Sequence, residues 1–279
     1  MKLVGRLLGW LYFARSGAIL AAIPIACAVG IWSSWLNDNG VLRERAVAVT
    51  LGLTSASARI SAINHWVYLN QGFTKNDRFF LLPALGPTPI QVLESGGDCA
   101  DKSRLVSAML WQLGINSGLA QIFPCRDCGP IHAVVEAEYE TGRMVVDPTW
   151  DIDYPTGDDK FLGIQELAGT SRGREHVADL QGRRGAGDKI QFIPERDATF
   201  DYAVAVNWQK NAFGRAVSYS LRVLGYAPEH LLRPHFLEDP KLALTLFLFI
   251  VAGILVIIRF LLRFLFPGAA RRFRLSFPR

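Results

Sequence analysis

The sequence predicts an α+β domain flanked by two transmembrane helices. Two apolar runs, at residues 16–36 and 242–258, contain no charged residue and frame a central stretch, residues 37–240. Within that stretch, segments with apolar residues at helical spacing precede short runs of strand-like composition. Helices followed by neighbouring strands are typical of α+β domains, in which helices pack on an antiparallel sheet.

Each apolar run has the composition of a membrane-spanning helix. At about 1.5 Å of rise per residue, residues 16–36 cover the roughly 30 Å of a hydrocarbon core. Trp32 and Trp35 near the end of this run suit the membrane interface. The run could instead be a cleaved signal peptide or a lipoprotein signal ending near Cys27, but it continues past that residue. The second run lies between Lys241 and Arg259, whose side chains can extend toward water.

Positive charge beside the two runs predicts the orientation of the chain. Residues 1–15 and 259–279 carry basic residues and no acidic ones. Because positive flanks stay on the cytoplasmic side, we expect both termini in the cytoplasm and residues 37–240 outside it. The basic residues in these flanks are Lys2, Arg6, Arg15, Arg259, Arg263, Arg271, Arg272, Arg274 and Arg279.

The same residues account for the basic character of the chain. The sequence contains 30 Lys and Arg against 25 Asp and Glu, a net charge of +5. The flanks hold more positive charge than this surplus, so the central domain is mildly acidic. We therefore expect a lipid bilayer, and no nucleic acid, as a partner of this chain.

Local signals predict the elements of the central domain. Residues 41–70 have apolar positions at helical spacing, which favours one or two helices. Asp98 can cap a helix over residues 99–113, and Gly114 can end it. Strands are predicted at residues 118–123, 131–139 and 144–146, with Thr141 and Gly142 as the turn between the last two. A further helix is predicted at residues 200–224, packed on the core or lying on the membrane surface.

Cys99, His132 and Asp147 are the candidate catalytic residues. Cys99 would begin a helix, where the partial positive charge favours a thiolate and free amide groups can stabilise an oxyanion. His132, early in a strand, could move the proton of the thiol, and Asp147, at the end of the returning strand, could orient the imidazole. A nucleophilic thiol requires these three functions together.

The spacing of the predicted hairpin allows His132 and Asp147 to meet. A two-residue turn at Thr141 and Gly142 places Asp147 opposite Glu136, on the face of His132 but distant from it. A hairpin tip wider by two residues places Asp147 opposite Val134, diagonal to His132 and within reach.

Three motifs resemble the transglutaminase-like superfamily, whose papain-like core carries Cys, His and Asp in this order. They are Gly-Asp-Cys-Ala-Asp around Cys99, His-Ala-Val-Val-Glu from His132, and Asp-Pro-Thr-Trp from Asp147. The resemblance covers roughly residues 60–155 and departs from the family pattern at Val134, where an aromatic residue is often found. It leaves Trp66 and Trp150 as candidates for an oxyanion or substrate-side aromatic.

The resemblance implies a cysteine enzyme that forms a thioester on Cys99. Such an enzyme attacks amide bonds of a protein or peptide at the cell envelope, by acyl transfer or by hydrolysis. Because a fold does not determine function, a catalytically silent scaffold or binding module of a membrane assembly is the alternative.

Cys125 and Cys128 form a Cys-x-x-Cys pair just before the predicted His132 strand. Outside the cytoplasm a structural disulfide is the leading interpretation, with free thiols or a redox or metal role as alternatives. A second pair of ligands is missing nearby, and the acidic residues 147–159 do not fit a calcium loop. We expect no cofactor and no metal.

Overall fold

The computed structural model describes residues 18–74, 77–123, 129–156, 160–168, 202–208 and 211–267, with side chains from residue 21 onward except that of Tyr202. Asp38–Pro240 forms one compact unit, and the chain on either side of it belongs to a second. The helices of the described chain are α1 (Ala18–Val49), α2 (Ala56–Leu69), α3 (Pro89–Ser95), α4 (Cys99–Gln112), α5 (Ile164–Leu167), α6 (Ala212–Val223) and α7 (Pro240–Leu265).

Side-chain caps define where the helices of the central unit begin. Ser55 caps α2 by accepting a hydrogen bond from the N–H of Ala58. Thr88 caps α3 in a reciprocal arrangement with Gln91, the capping box. The helical region predicted at residues 41–70 is therefore two helices, the end of α1 and all of α2, separated by a short connection.

Five strands in the described part of the chain form an antiparallel sheet with the order β4-β3-β2-β1-β5. The three predicted strands are present, with bounds that differ by one or two residues from those predicted. The strands are β1 (Ser117–Phe123), β2 (His132–Tyr139), β3 (Gly142–Asp147), β4 (Ile152–Asp153) and β5 (Tyr202–Val204).

The β2–β3 hairpin turns one residue earlier than predicted. Tyr139 pairs with Gly142, so Glu140 and Thr141 form the turn, and the expected Thr141-Gly142 turn is wrong. Val135 pairs with Val146, and the same register continued by one residue sets Asp147 opposite Val134. The favourable register therefore comes from a shifted tight turn and not from a wider hairpin tip.

The core lies on both faces of the sheet. One cluster joins α2, α3 and α4 to strand residues such as Val135 and Val146. The other includes Val134, Val145 and Trp150 and extends to α5. Because neighbouring strand residues point to opposite faces, the two clusters lie on opposite sides of the sheet.

The prediction of one helix over residues 200–224 is wrong in its first part. Tyr202–Val204 is the edge strand β5, which pairs with β1 through Phe123 and Tyr202. The alternation of Tyr202, Val204 and Val206 fits a strand better than a helix. The helix begins at Ala212, after Asn211, whose side chain accepts a hydrogen bond from the N–H of Gly214.

Within the described residues, one helix is long and apolar enough to cross a membrane, namely α7. It contains the predicted span at residues 242–258. The other predicted span, residues 16–36, begins outside the described part of the chain and is helical from Ala18 onward as part of α1. This span and the cytoplasmic placement of residues 1–15 and 259–279 stay predictions.

Candidate functional site

Cys99 is the first residue of α4, as predicted, and is partly exposed. The carboxylate of Asp98 caps the helix by accepting hydrogen bonds from the N–H groups of Ala100 and Asp101. Gly97 precedes the cap where a side chain would collide with the Cβ atom of Asp101. The Gly-Asp-Cys-Ala-Asp motif therefore stabilises the start of α4, because Gly97 allows close packing against Asp101 and Asp98 caps the helix.

A side-chain hydrogen bond joins the helix that carries Cys99 to the strand that carries His132. The hydroxyl of Ser103, one turn after Cys99, donates to the carbonyl oxygen of Ala133 at 3.1 Å. One turn further on, the hydroxyl of Ser107 contacts that of Ser117 on β1 at 3.2 Å. Sequence reasoning missed these two serines. Their positions, four and eight residues after Cys99, place them on the same side of the helix as the cysteine, which could have indicated contacts with the sheet.

Lys102 joins the same helix to α2. Its side chain is 2% exposed, and its ammonium group donates to the carbonyl oxygens of Val67 at 2.8 Å and Tyr68 at 2.9 Å. These carbonyls belong to the last turn of α2, where the helix has no partners of its own for them. Burial lowers the pKa of Lys102 to about 8. Lys102 therefore holds α4 and α2 together through polar contacts that sequence reasoning did not foresee.

His132 and Asp147 form a fully buried pair. The Nε2 atom of His132 lies 2.6 Å from a carboxylate oxygen of Asp147, and both side chains are inaccessible to solvent. The other carboxylate oxygen accepts hydrogen bonds from the N–H groups of Thr149 and Trp150 at 2.8 and 3.3 Å. Asp147 is thus held in one orientation toward the imidazole by the Asp-Pro-Thr-Trp segment.

The surroundings of His132 favour its protonated form. Burial alone would lower the pKa of His132, but the charge and hydrogen bond of Asp147 oppose this, and the hydrogen bond and charge of Cys99 add to them. Together they hold the pKa well above 6.5. An imidazolium at neutral pH is the partner that a cysteine thiolate requires.

Each nitrogen of His132 has a distinct role in this arrangement. Nε2 is bonded to Asp147, whereas Nδ1 is buried and has no other partner among the described residues. Cys99 also contributes to the raised pKa of His132, and Nδ1 is the ring nitrogen available to the thiol of Cys99. His132 is therefore bonded to Asp147 through one ring nitrogen and has the other free of hydrogen bonds among the described residues. A joint catalytic role of these two residues with Cys99 stays a prediction.

The start of α4 also offers a hydrogen-bond donor for a developing negative charge. The cap provided by Asp98 uses the N–H groups of Ala100 and Asp101, and that of Cys99 is not one of them. A backbone N–H at the nucleophile is suited to stabilise the oxyanion that forms when a thiolate attacks a carbonyl carbon.

The two tryptophans predicted near the site have different environments. Trp150 is 2% exposed and packs in the core cluster that includes Val134, next to the segment that orients Asp147. Trp66 lies on α2 against the other core cluster, and the guanidinium of Arg45 lies 5.6 Å from the centroid of its ring. A role of either ring toward an oxyanion or a substrate stays a prediction.

Cys125 and Cys128 lie outside the described residues, so their predicted disulfide stays a prediction. In the described part of the chain, no three His, Cys, Asp or Glu side chains gather as a metal site. A cavity of about 270 Å³ is lined by Trp111, Gly114, Ile115 and Asn116. It lies at the opposite end of α4 from Cys99, about 18 Å along the helix, and is separate from the candidate site.

Comparison with known proteins finds a structural likeness to a solved protein. No protein-family model matches the chain, and no curated protein matches its sequence. A crystal structure of a protein from Cytophaga hutchinsonii, provisionally described as a cysteine protease, is similar with a TM-score of 0.34 and 19% sequence identity. The likeness covers 40% of this chain and 37% of that protein.

Proposed function

We propose that this chain is a membrane-anchored cysteine enzyme that acts on amide bonds through a thioester on Cys99. The observation that supports this most is the buried His132–Asp147 pair at 2.6 Å, combined with a partly exposed Cys99 at the start of a helix. The resemblance of the three motifs to the transglutaminase-like superfamily points the same way.

The chemistry follows from the roles of the three side chains. The thiol proton of Cys99 passes to His132, and the sulfur attacks the carbonyl carbon of an amide. The imidazolium then gives its proton to the leaving nitrogen as the carbon–nitrogen bond breaks, leaving a thioester. Water or a second amine then attacks the thioester, its proton passes to the neutral His132, and the thiolate of Cys99 leaves as the carbon–sulfur bond breaks. Asp147 stabilises the imidazolium throughout these steps.

The substrate we propose is a protein or peptide at the cell envelope. The apolar helix α7 is long enough to hold the chain in a bilayer, and the second span at residues 16–36 would complete the anchor. With basic flanks on the cytoplasmic side, Cys99 would act outside the cytoplasm. A reporter fused after Arg279 should behave as cytoplasmic, and an extracytoplasmic signal there would contradict this topology.

Alkylation of Cys99 tests the nucleophile. The full chain in nanodiscs is treated with iodoacetamide at pH 6, and the peptide containing Cys99 is quantified by mass spectrometry. We expect Cys99 to react at least about tenfold faster than free N-acetylcysteine, because thiolate rather than thiol reacts. The His132→Ala variant should lose this advantage. A parent rate no faster than that of the free thiol would favour the catalytically silent scaffold.

A second assay distinguishes transfer from hydrolysis. The chain is incubated with a peptide carboxamide and a fluorescent primary amine, and both released ammonia and amine incorporation are measured. Incorporation indicates acyl transfer, whereas ammonia without incorporation indicates hydrolysis. Cys99→Ala should abolish both products, and their persistence in this variant would refute a thioester on Cys99.

A further inference from the structure

The helix α6 has large apolar and aromatic side chains on its outward side. Ser218 is the buried residue of this helix, and Gly214 makes its closest approach to the rest of the unit, since a Cβ there would lie 2.6 Å from the carbonyl oxygen of Trp208. In contrast, Phe213, Tyr219 and Val223 are 79%, 71% and 68% exposed. Val217 and Leu221 are half-buried on the inward side, so this helix is apolar on both sides. An ordinary surface helix instead turns one apolar stripe toward the core and a polar side toward solvent.

Two arginines flank the outward apolar side. At about 100° per residue, Phe213 and Val223 lie within one sector of the helix, whereas Arg215 and Arg222, seven positions apart, share one edge of it. The helix contains no acidic residue. Glu229, which follows in the chain, lies 3.5 Å from Arg222 and is itself exposed. The outward side of α6 is therefore apolar and aromatic with a positive border.

The connection between α6 and α7 also exposes apolar and aromatic residues. Tyr226 is 58% exposed, and Phe236 and Leu237 are each 40% exposed. The α7 helix then begins at Pro240. A connection of this length spans at most about 55 Å when fully extended, so a membrane that holds α7 keeps α6 within that reach.

We infer that the outward side of α6 lies in the headgroup region of a bilayer that contains anionic lipid. Phe213, Tyr219 and Val223 would enter the boundary of the hydrocarbon, and Arg215 and Arg222 would lie near lipid phosphates. Apolar residues on one side with arginines beside them are the composition of interfacial helices. The inference depends on α7 as a membrane helix and is independent of the chemistry at Cys99.

Photo-crosslinking in the full chain tests this contact. Phe213 is replaced by p-benzoylphenylalanine, and the protein is reconstituted in nanodiscs that contain phosphatidylglycerol and phosphatidylcholine. The control is the same replacement at Leu69, an apolar residue of α2 that is 63% exposed. We expect lipid adducts at position 213 to exceed those at position 69 by at least about fivefold.

The charge contribution is tested with Arg215→Gln and Arg222→Gln together. Their removal should reduce the lipid adducts at position 213, and nanodiscs of phosphatidylcholine alone should do the same in the parent. Adducts to a second copy of the chain, lipid adducts no more frequent than at position 69, or adducts unaffected by either change would overturn the inference. Alkylation of Cys99 in the same samples reports on the catalytic proposal separately.

Discussion

The helices α4 and α6 belong to the same compact unit but differ in how deeply they are buried. The helix α4 buries polar and apolar residues alike, whereas much of α6 is exposed. The first turns of α4 contain Asp101, Lys102 and Arg104, and yet most of this helix is buried. In α6, Phe213, Tyr219 and Val223 are exposed, and the fully buried residue is Ser218. In α4 each buried polar group has a partner, such as Arg104 at 3.1 Å from Asp101. Burial therefore depends on the partners that the fold supplies and not only on the character of the helix.

The largest effect should come from removing Lys102. Lys102→Ala removes the donor to the carbonyl oxygens of Val67 and Tyr68 at the end of α2, which costs about 2–4 kcal/mol of unfolding free energy. The matched change in α6 is Arg222→Ala, which should cost less than about 0.5 kcal/mol because that side chain is exposed. Thermal unfolding of the full chain in nanodiscs, followed by tryptophan fluorescence, should show a midpoint lower by about 5–15 °C for the first variant alone.

The pH dependence of stability, compared between the parent and Lys102→Ala, tests whether burial of Lys102 is the cause of this effect. Because burial lowers the pKa of Lys102 to about 8, the unfolded chain binds a proton that the folded chain lacks between about pH 8 and 10.5. Stability of the parent should therefore rise with pH over this range relative to Lys102→Ala. Parallel curves for the two proteins would show that Lys102 is not buried in this way.

Asp147→Asn should have the next largest effect, on reactivity. The amide keeps the shape of the carboxylate but removes its charge, so the pKa of His132 falls. The imidazolium is then lost at lower pH, and alkylation of Cys99 at pH 7 should slow by about 10²-fold. Iodoacetate should be affected more than iodoacetamide, because the anionic reagent is attracted by the imidazolium. Equal slowing of both reagents would argue against a charged His132.

The pH dependence of folding stability should also reveal the raised pKa of His132. The raised pKa means that the pair stabilises the folded chain fully below about pH 6.5 and loses this contribution as pH rises through the folded pKa. The parent should therefore lose stability over that rise, and Asp147→Asn should show a flatter curve. Thermal midpoints measured at a series of pH values provide the comparison.

Removing the hydroxyl group of Ser103 or of Ser220 should have smaller effects, which differ between the two helices. Ser103 in α4 donates across to β2, whereas Ser220 in α6 donates within its own helix to Ala216. Ser103→Ala should cost about 1 kcal/mol and slow alkylation of Cys99, because α4 is less firmly held against the strand of His132. Ser220→Ala should leave the alkylation rate unchanged. An unchanged rate in Ser103→Ala would show that this bond does not position Cys99.

The helix caps should show the smallest difference. Asp98→Ala and Asn211→Ala each remove a capping side chain and should each cost about 1 kcal/mol. Only the first should also slow alkylation of Cys99, since it loosens the turn that carries the thiol. A similar loss of reactivity in Asn211→Ala would mean that the effect comes from general destabilisation.

Short-range signals predicted much of the fold and the candidate site. The helix of Cys99, its cap at Asp98 and its end at Gly114 follow from residues within a few positions of one another, and the structure confirms them. The β2 and β3 strands are likewise confirmed. The turn between them was misplaced by one residue, because the register depends on packing residues such as Val135 and Val146 in a common core.

Longer-range features could not be predicted in the same way. β5 forms by pairing with β1, an edge that its own residues do not specify, and so residues 202–204 were misjudged as helix. The contacts of Lys102 with α2 depend on where another helix ends. Such features require the positions of elements that are distant in the chain.

The sequence by itself determined which residues can carry the chemistry, where the Cys99 helix begins and ends, and which segments are apolar enough for a membrane. Only the tertiary structure decided that Asp147 meets His132 in a fully buried pair, that Lys102 is satisfied inside the core, and that large apolar residues of α6 such as Phe213 are exposed. Composition and local spacing act over one or two helical turns. Burial and the pKa of His132 depend instead on groups that the fold brings together from distant parts of the chain.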